Sequence, residues 1–227
     1  MQTALATSGL LPVLGLGFPG TASASRSATE PKCAVRRTYE VDGEVFAEGD
    51  RAAFFYEVAS GSVRTYKLLA DGRRLIDAFH LPGDIFGFEA GEEHRFSAEA
   101  VTDTKLVVHR RERGALAGND GTLARKVVAD LMRSLERAQD HMMLLGRKSA
   151  KERIATFLLG LAERLAKQGG PLDLPMPRAD IADHLGLTVE SVSRAVTQLE
   201  REGLIELPPN RRSIVLRNTA ALRDIAA

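Results

Sequence analysis

Glu190 and Arg194 stand four residues apart in a stretch, Val189–Leu199, that contains neither Gly nor Pro. At helical spacing the two side chains share one face. A carboxylate there can accept a hydrogen bond from an exocyclic amino group such as cytosine N4. A planar guanidinium can donate two bonds at once, to guanine O6 and N7. Ser193 adds a hydroxyl and Val189 an apolar group at the same end of the stretch. Taken alone, a Glu and an Arg at this spacing read as a solvent-exposed ion pair, so the elements around them decide the chemistry.

Those elements are written in Arg178–Thr197, RADIADHLGLTVESVSRAVT. Two helices that cross tightly need a small residue at the crossing, and Ala182 is placed for it. The turn needs a residue tolerant of positive φ, which Gly186 supplies. Thr188 stands where a cap for the second helix belongs. The inward positions, Ile181, Leu185, Leu187, Val192, Ala195, Val196 and Leu199, are all apolar. This predicts a helix-turn-helix whose second helix offers Val189, Glu190, Ser193 and Arg194 to base edges. An ordinary helical hairpin in a bundle would not need that polar set.

Beyond it, Gly203–Leu207 and Ser213–Arg217 read as two short strands around Pro208-Pro209-Asn210-Arg211-Arg212, a wing with a basic turn. Arg178, Thr188, Ser191, Arg211 and Arg212 are the candidate contacts to a DNA backbone, which position a protein without reading sequence. Arg147, Lys148 and Lys151 are weaker candidates. The charge balance agrees in sign. Residues 147–227 hold thirteen Lys and Arg against ten Asp and Glu, and the rest of the chain eighteen against twenty.

Upstream the pattern divides into three expected parts. Residues 1–34, rich in Ala, Ser, Thr and Gly, read as a flexible tail. Its apolar run Leu10–Phe18 lacks a basic stretch before it and is interrupted by Pro12, which argues against a secretory signal and for a cytoplasmic protein. No apolar run is long enough for a membrane span. The single cysteine, Cys33, excludes an intramolecular disulfide and a cysteine-held iron–sulfur cluster.

Residues 35–118 read as a β-domain. Phe54–Ala59, Ser62–Leu69, Arg74–Leu81 and Lys105–His109 are separated by Ser60-Gly61, Asp71-Gly72 and Pro82-Gly83-Asp84. Short strands with regular turns suggest a jelly roll. Residues 119–146 switch to helical periodicity: Ala124, Val128, Leu131, Leu135, Ala138, Met142 and Leu145 recur at alternating spacings of four and three. That spacing reads as a coiled-coil seam, narrower than the stripe of the alternative, a surface helix lying on the β-domain. Val128, Leu131, Leu135, Ala138, Met142 and Leu145 are therefore the candidate dimer interface, with Gly146 ending the helix. Residues 147–227 hold a further amphipathic helix, over 148–167, and the helix-turn-helix.

In that order, a β-roll, a long helix and a winged helix-turn-helix resemble the cAMP-receptor/FNR (Crp-Fnr) superfamily over about residues 38–217. Glu190-Ser191-Val192-Ser193-Arg194 matches the E-x-x-S-R pattern of its FNR/FixK branch. Gly61-Ser62-Val63-Arg64, Asp71-Gly72-Arg73-Arg74, Gly83-Asp84-Ile85-Phe86-Gly87 and His94–Ala100 look like FixK proteins.

The resemblance implies an α+β chain: an N-terminal double-stranded β-helix (jelly-roll, cyclic-nucleotide-binding-like) domain, a dimerisation helix and a C-terminal winged helix-turn-helix. It implies a homodimeric regulator, an activator working with RNA polymerase, that binds double-stranded DNA palindromes of the type TTGAT-N4-ATCAA. The genes would be those of microaerobic respiration, nitrogen fixation or denitrification. Glu190, Ser193 and Arg194 would read bases.

Cyclic-nucleotide members of the superfamily carry Gly-Glu-Leu and then Arg-Ser or Arg-Thr around the phosphate. Gly87-Phe88-Glu89 and Arg95-Phe96-Ser97 depart from that order. The expectation is therefore a protein without small-molecule effector, cofactor, metal or catalytic residues, controlled through its own abundance or stability. Three alternatives stand beside it. A ligand-gated regulator would answer to a nucleotide, or to a gas on haem held by His80, His94 or His109. A cupin-type metalloenzyme would need the His-x-His and Glu ligand set, which is absent. A scaffold dimer would leave Glu190 and Arg194 without a role.

Overall fold

The computed structural model describes residues 35–111, 121–165, 171–209 and 213–227. All of them belong to one compact unit. The tail with Cys33, and Arg211 and Arg212 of the wing turn, lie outside the described residues.

The first part is all β: β1 (Val35–Tyr39), β2 (Glu44–Phe46), β3 (Phe54–Ser60), β4 (Val63–Leu68), β5 (Arg74–His80), β6 (Ile85–Phe86), β7 (Ser97–Ala100) and β8 (Thr104–Arg110). They form two four-stranded antiparallel sheets, ordered β1-β8-β3-β6 and β2-β7-β4-β5. Phe46, Tyr56, Val58, Val63, Phe86, Ala98, Leu106 and Val108 fill the space between them. This is the jelly roll. In β7 one side chain in two turns inward, Ala98 and Ala100, whereas β4 buries Val63–Tyr66 in succession, with Val63 in this core and Tyr66 in that of the helical part. At the β3–β4 turn, Gly61 has φ +84°, and a Cβ there would run into the Asp103 carbonyl oxygen and Thr104. Only glycine fits that turn.

The long helix α1 (Thr122–Arg147) follows. Gly146 lies inside its last turn, and the helix ends one residue past it, with extended backbone at Lys148. Val127, Asp130 and Leu144 face the protein. Asp130 is buried, and its carboxylate accepts from the Ile85 N–H at 2.8 Å, which pins α1 to the β-roll.

The helical part contains α2 (Ala150–Leu165), β9 (Leu172–Asp173), α3 (Arg178–Leu185), α4 (Val189–Arg201), β10 (Ile205–Glu206), β11 (Ser213–Leu216) and α5 (Thr219–Ala226). β9, β10 and β11 form one small antiparallel sheet, ordered β10-β11-β9. The wing therefore has a third strand, just after Pro171, and α5 closes the chain; the pattern along the sequence signalled neither. One core joins Ile154, Leu158, Ile181, Leu185, Val192, Val196, Leu199 and Leu222.

Candidate nucleic-acid interface

The crossing of α3 and α4 has the steric form that its residues demand. Ile181, Ala182, Leu185, Val192, Ala195, Val196 and Leu199 are all buried. Gly186 caps α3 with φ +61°. The Thr188 hydroxyl accepts from the Ser191 N–H at 3.2 Å and so satisfies one of the open amides at the start of α4. Arg153 of α2 braces the assembly. Its guanidinium donates to the carbonyls of Leu145, Lys148 and Leu185, the ends of α1 and α3. Nothing in the sequence marked Arg153 for that role, because its partners come from two separate segments that only folding brings together.

With one face of α4 buried, the other is exposed at its N-terminal end. Val189, Glu190 and Arg194 are exposed, and Ser191 and Ser193 are half-buried beside them. The Arg194 guanidinium donates to the Ser191 hydroxyl at 3.4 Å and makes no bond to Glu190. The Ser191 hydroxyl also accepts from Thr188 at 3.1 Å. The Glu190 carboxyl is held below the usual carboxylate range. Its own backbone N–H does most, then the Thr188 hydroxyl, then the nearby Arg194 charge. Arg178 donates to the Ser193 hydroxyl at 3.2 Å, which ties the first residue of α3 to the face of α4. The result is an ionised acceptor and a charged double donor on the open end of a helix held rigidly from behind.

Two of the three weaker cationic candidates are engaged within the molecule. Lys148 bonds Thr156 and the Ala226 carbonyl, and Lys151 pairs with Glu202 at 2.6 Å. Arg147 is exposed.

The seam of α1 faces solvent in the single chain. Val128, Leu131, Leu135 and Met142 are 54%, 47%, 55% and 67% exposed, with Ala138 also exposed between them. Leu145 behaves differently: it is half-buried and packs on the helical core of its own chain, because α2 turns back beneath that end of α1. Met132 and Met143, outside the strict heptad, are equally bare and widen the strip.

In the β-roll, the Glu89 carboxylate is taken by Arg95, which donates to it from its backbone N–H and its side chain at 3.2 and 3.1 Å. His80, His94 and His109 each stack on a phenylalanine, namely Phe86, Phe46 and Phe55. Among the described residues, no three His, Cys, Asp or Glu side chains gather as a metal ion would require. Among them too, no helix is long and apolar enough to cross a membrane.

Comparison with known families places a cyclic nucleotide-binding domain at residues 36–114 and a Crp-like helix-turn-helix domain at 152–225. The nitrogen fixation regulation protein FixK of Azorhizobium caulinodans is 50% identical over 81% of this chain and 76% of its own length. The chain belongs to the Crp-Fnr family, in its FixK-like branch. The FixK of Rhizobium meliloti is 46% identical, over 83% of this chain and 85% of its own. The solved structure of FixK2 from Bradyrhizobium japonicum superposes with a TM-score of 0.78 at 49% identity, covering 86% of this chain and 98% of that one. This FixK-type protein is therefore a transcription regulator with a DNA-binding helix-turn-helix.

Proposed function

We propose that the protein is a FixK-type activator that binds palindromes of the TTGAT-N4-ATCAA type as a homodimer, in the cytoplasm and together with RNA polymerase. The genes it controls are those of microaerobic respiration, nitrogen fixation or denitrification; the names of the FixK relatives support nitrogen fixation. The observation that carries the reading is the open N-terminal end of α4, where Glu190 and Arg194 stand exposed on a helix whose other face is fully packed. In the groove, Arg194 takes guanine, Glu190 takes cytosine N4, and Val189 and Ser193 lie against neighbouring bases. Thr188, Ser191, Arg178, Arg211 and Arg212 hold the backbone.

Two copies joined along Val128, Leu131, Leu135, Ala138 and Met142 would bring a pair of such helices to the two half-sites. Five bare apolar side chains on one strip of a helix support that pairing. The β-roll works without a small effector. The departure of Gly87-Phe88-Glu89 and Arg95-Phe96-Ser97 from the order that cyclic-nucleotide members carry around the phosphate supports this.

Selection of genomic fragments by the purified protein, with no ligand added, tests the whole reading. Enriched fragments should carry the inverted repeat. Recovery of no common motif, or of one only after a nucleotide is added, would refute it.

A further inference from the structure

α3 carries two carboxylates that its own domain does not use. Ile181, Ala182 and Leu185 make the core contacts of the helix, while Asp180 and Asp183 reach away from it to the β-roll. Asp180 is 2% exposed and is gripped by two guanidiniums. Arg64 of β4 donates to it at 2.9 Å, and Arg74 of β5 holds its other oxygen. Arg74 also binds Asp183 at 2.9 Å. Arg64 is itself tied into the β-roll through Glu99 at 2.6 Å and Asp42 at 2.9 Å. Beside this lattice, the His184 ring meets the Ile76 carbonyl of β5 at 3.0 Å. Burial alone would depress the Arg64 pKa, but the bonds to Glu99, Asp180 and Asp42 outweigh it and raise it above the ordinary value.

Buried charges are tolerated only where partners meet them in good geometry, and guanidinium–carboxylate bonds are strongly directional. A lattice of this kind admits one relative placement of its two sides. α4 is locked to α3 through Ala182, Val192 and Ala195, so it inherits that placement.

We propose that Arg64, Arg74, Asp180 and Asp183 are positioning residues that bolt the helix-turn-helix to the β4–β5 hairpin, so that the recognition helix is held at one angle with no ligand bound. In a dimer this sets the separation of the two recognition helices, and hence the spacer length the protein accepts. The inference rests on the reading of the protein as a dimeric DNA-binding regulator.

The test uses the full-length protein and three labelled duplexes: TTGAT-N4-ATCAA, the same half-sites with a six-base spacer, and one half-site alone. Asp180→Asn and Arg74→Gln are compared with wild type by fluorescence anisotropy. Since joining two half-sites contributes through effective concentration, each variant should lose about tenfold on the four-base spacer, stay within about twofold on the single half-site, and discriminate less between spacers. In hydrogen exchange without DNA, the β4–β5 hairpin and α3 should lose protection together while α4 keeps its own.

If Asp180→Asn fails to fold, Arg74→Gln carries the test alone, since that side chain is partly exposed. Variants that keep the wild-type spacer preference and the wild-type exchange pattern overturn the proposal. A wild-type protein that binds none of the duplexes defeats the functional reading instead, and the exchange pattern then decides the positioning role by itself.

Discussion

Replacing Leu135 by glutamate on the bare seam of α1 should separate the subunits while leaving each one folded. Leu135 is 55% exposed in the single chain, so about half of its side chain remains to be covered by a partner. Full burial of a leucine is worth about 2 kcal/mol, which gives about 1 kcal/mol for the uncovered half. A twofold interface counts every substitution twice, so truncation to alanine should weaken the dimer by roughly 2 kcal/mol, about thirtyfold in Kd.

Glutamate costs more. On a parallel seam each carboxylate faces its own copy across the axis, and an unpaired charge removed from water costs several kcal/mol. Two of them should bring the loss to roughly 6 kcal/mol or more, over four decades in Kd. Sedimentation velocity at micromolar concentration should show Leu135→Glu as a monomer with unchanged far-ultraviolet circular dichroism. Glu136→Ala, one residue along and off the seam, should remain dimeric. A Leu135→Glu protein that still sediments as a dimer under these conditions would mean that the exposed strip of α1 is not the interface.

Arg194→Ala should lose about 1–3 kcal/mol on the palindrome and relax selectivity at one base pair; equal binding by mutant and wild type in a gel shift defeats the assignment of that side chain. Acid should destabilise the fold through its histidines. All five have depressed pKa values, chiefly from burial, and His184 is pushed down from 6.5 to about 4. They are neutral when folded and take up protons when unfolded, so stability is full above about pH 6.5 and lost as pH falls toward 4. His184 alone contributes on the order of 2–3 kcal/mol to that loss. A calorimetric Tm profile should therefore fall across this window and fall less in His184→Gln; a flat profile contradicts the burial argument. Gly61→Ala should lower Tm sharply, because φ +84° and the crowding by Asp103 and Thr104 act together; an unchanged Tm would show that the β3–β4 turn can relax.

Much of the architecture is legible from local pattern alone. The heptad spacing of α1, the short strands set between turn residues and the Ala182–Gly186–Thr188 frame are each statements about neighbours within a few turns of chain, where periodicity and turn sterics operate. By themselves they determined the order of β-roll, long helix and helix-turn-helix, and which residues of α4 face the core. Tertiary structure decided the rest. The short strand β9 is defined only by pairing with β11, some forty residues further on, and so leaves no periodic trace. Leu145 satisfies the seam spacing, yet it is drawn toward its own core by the return of α2. The Arg194 guanidinium goes to Ser191 although Glu190 stands at pairing distance in sequence, because the Thr188 cap orients that hydroxyl. Arg64 and Asp180 are 116 residues apart and look like ordinary surface charges until folding brings β4 against α3. Local sequence determines elements through the backbone geometry of near neighbours, whereas the pairing of buried charges depends on which elements meet, and that is known only once the whole chain has packed.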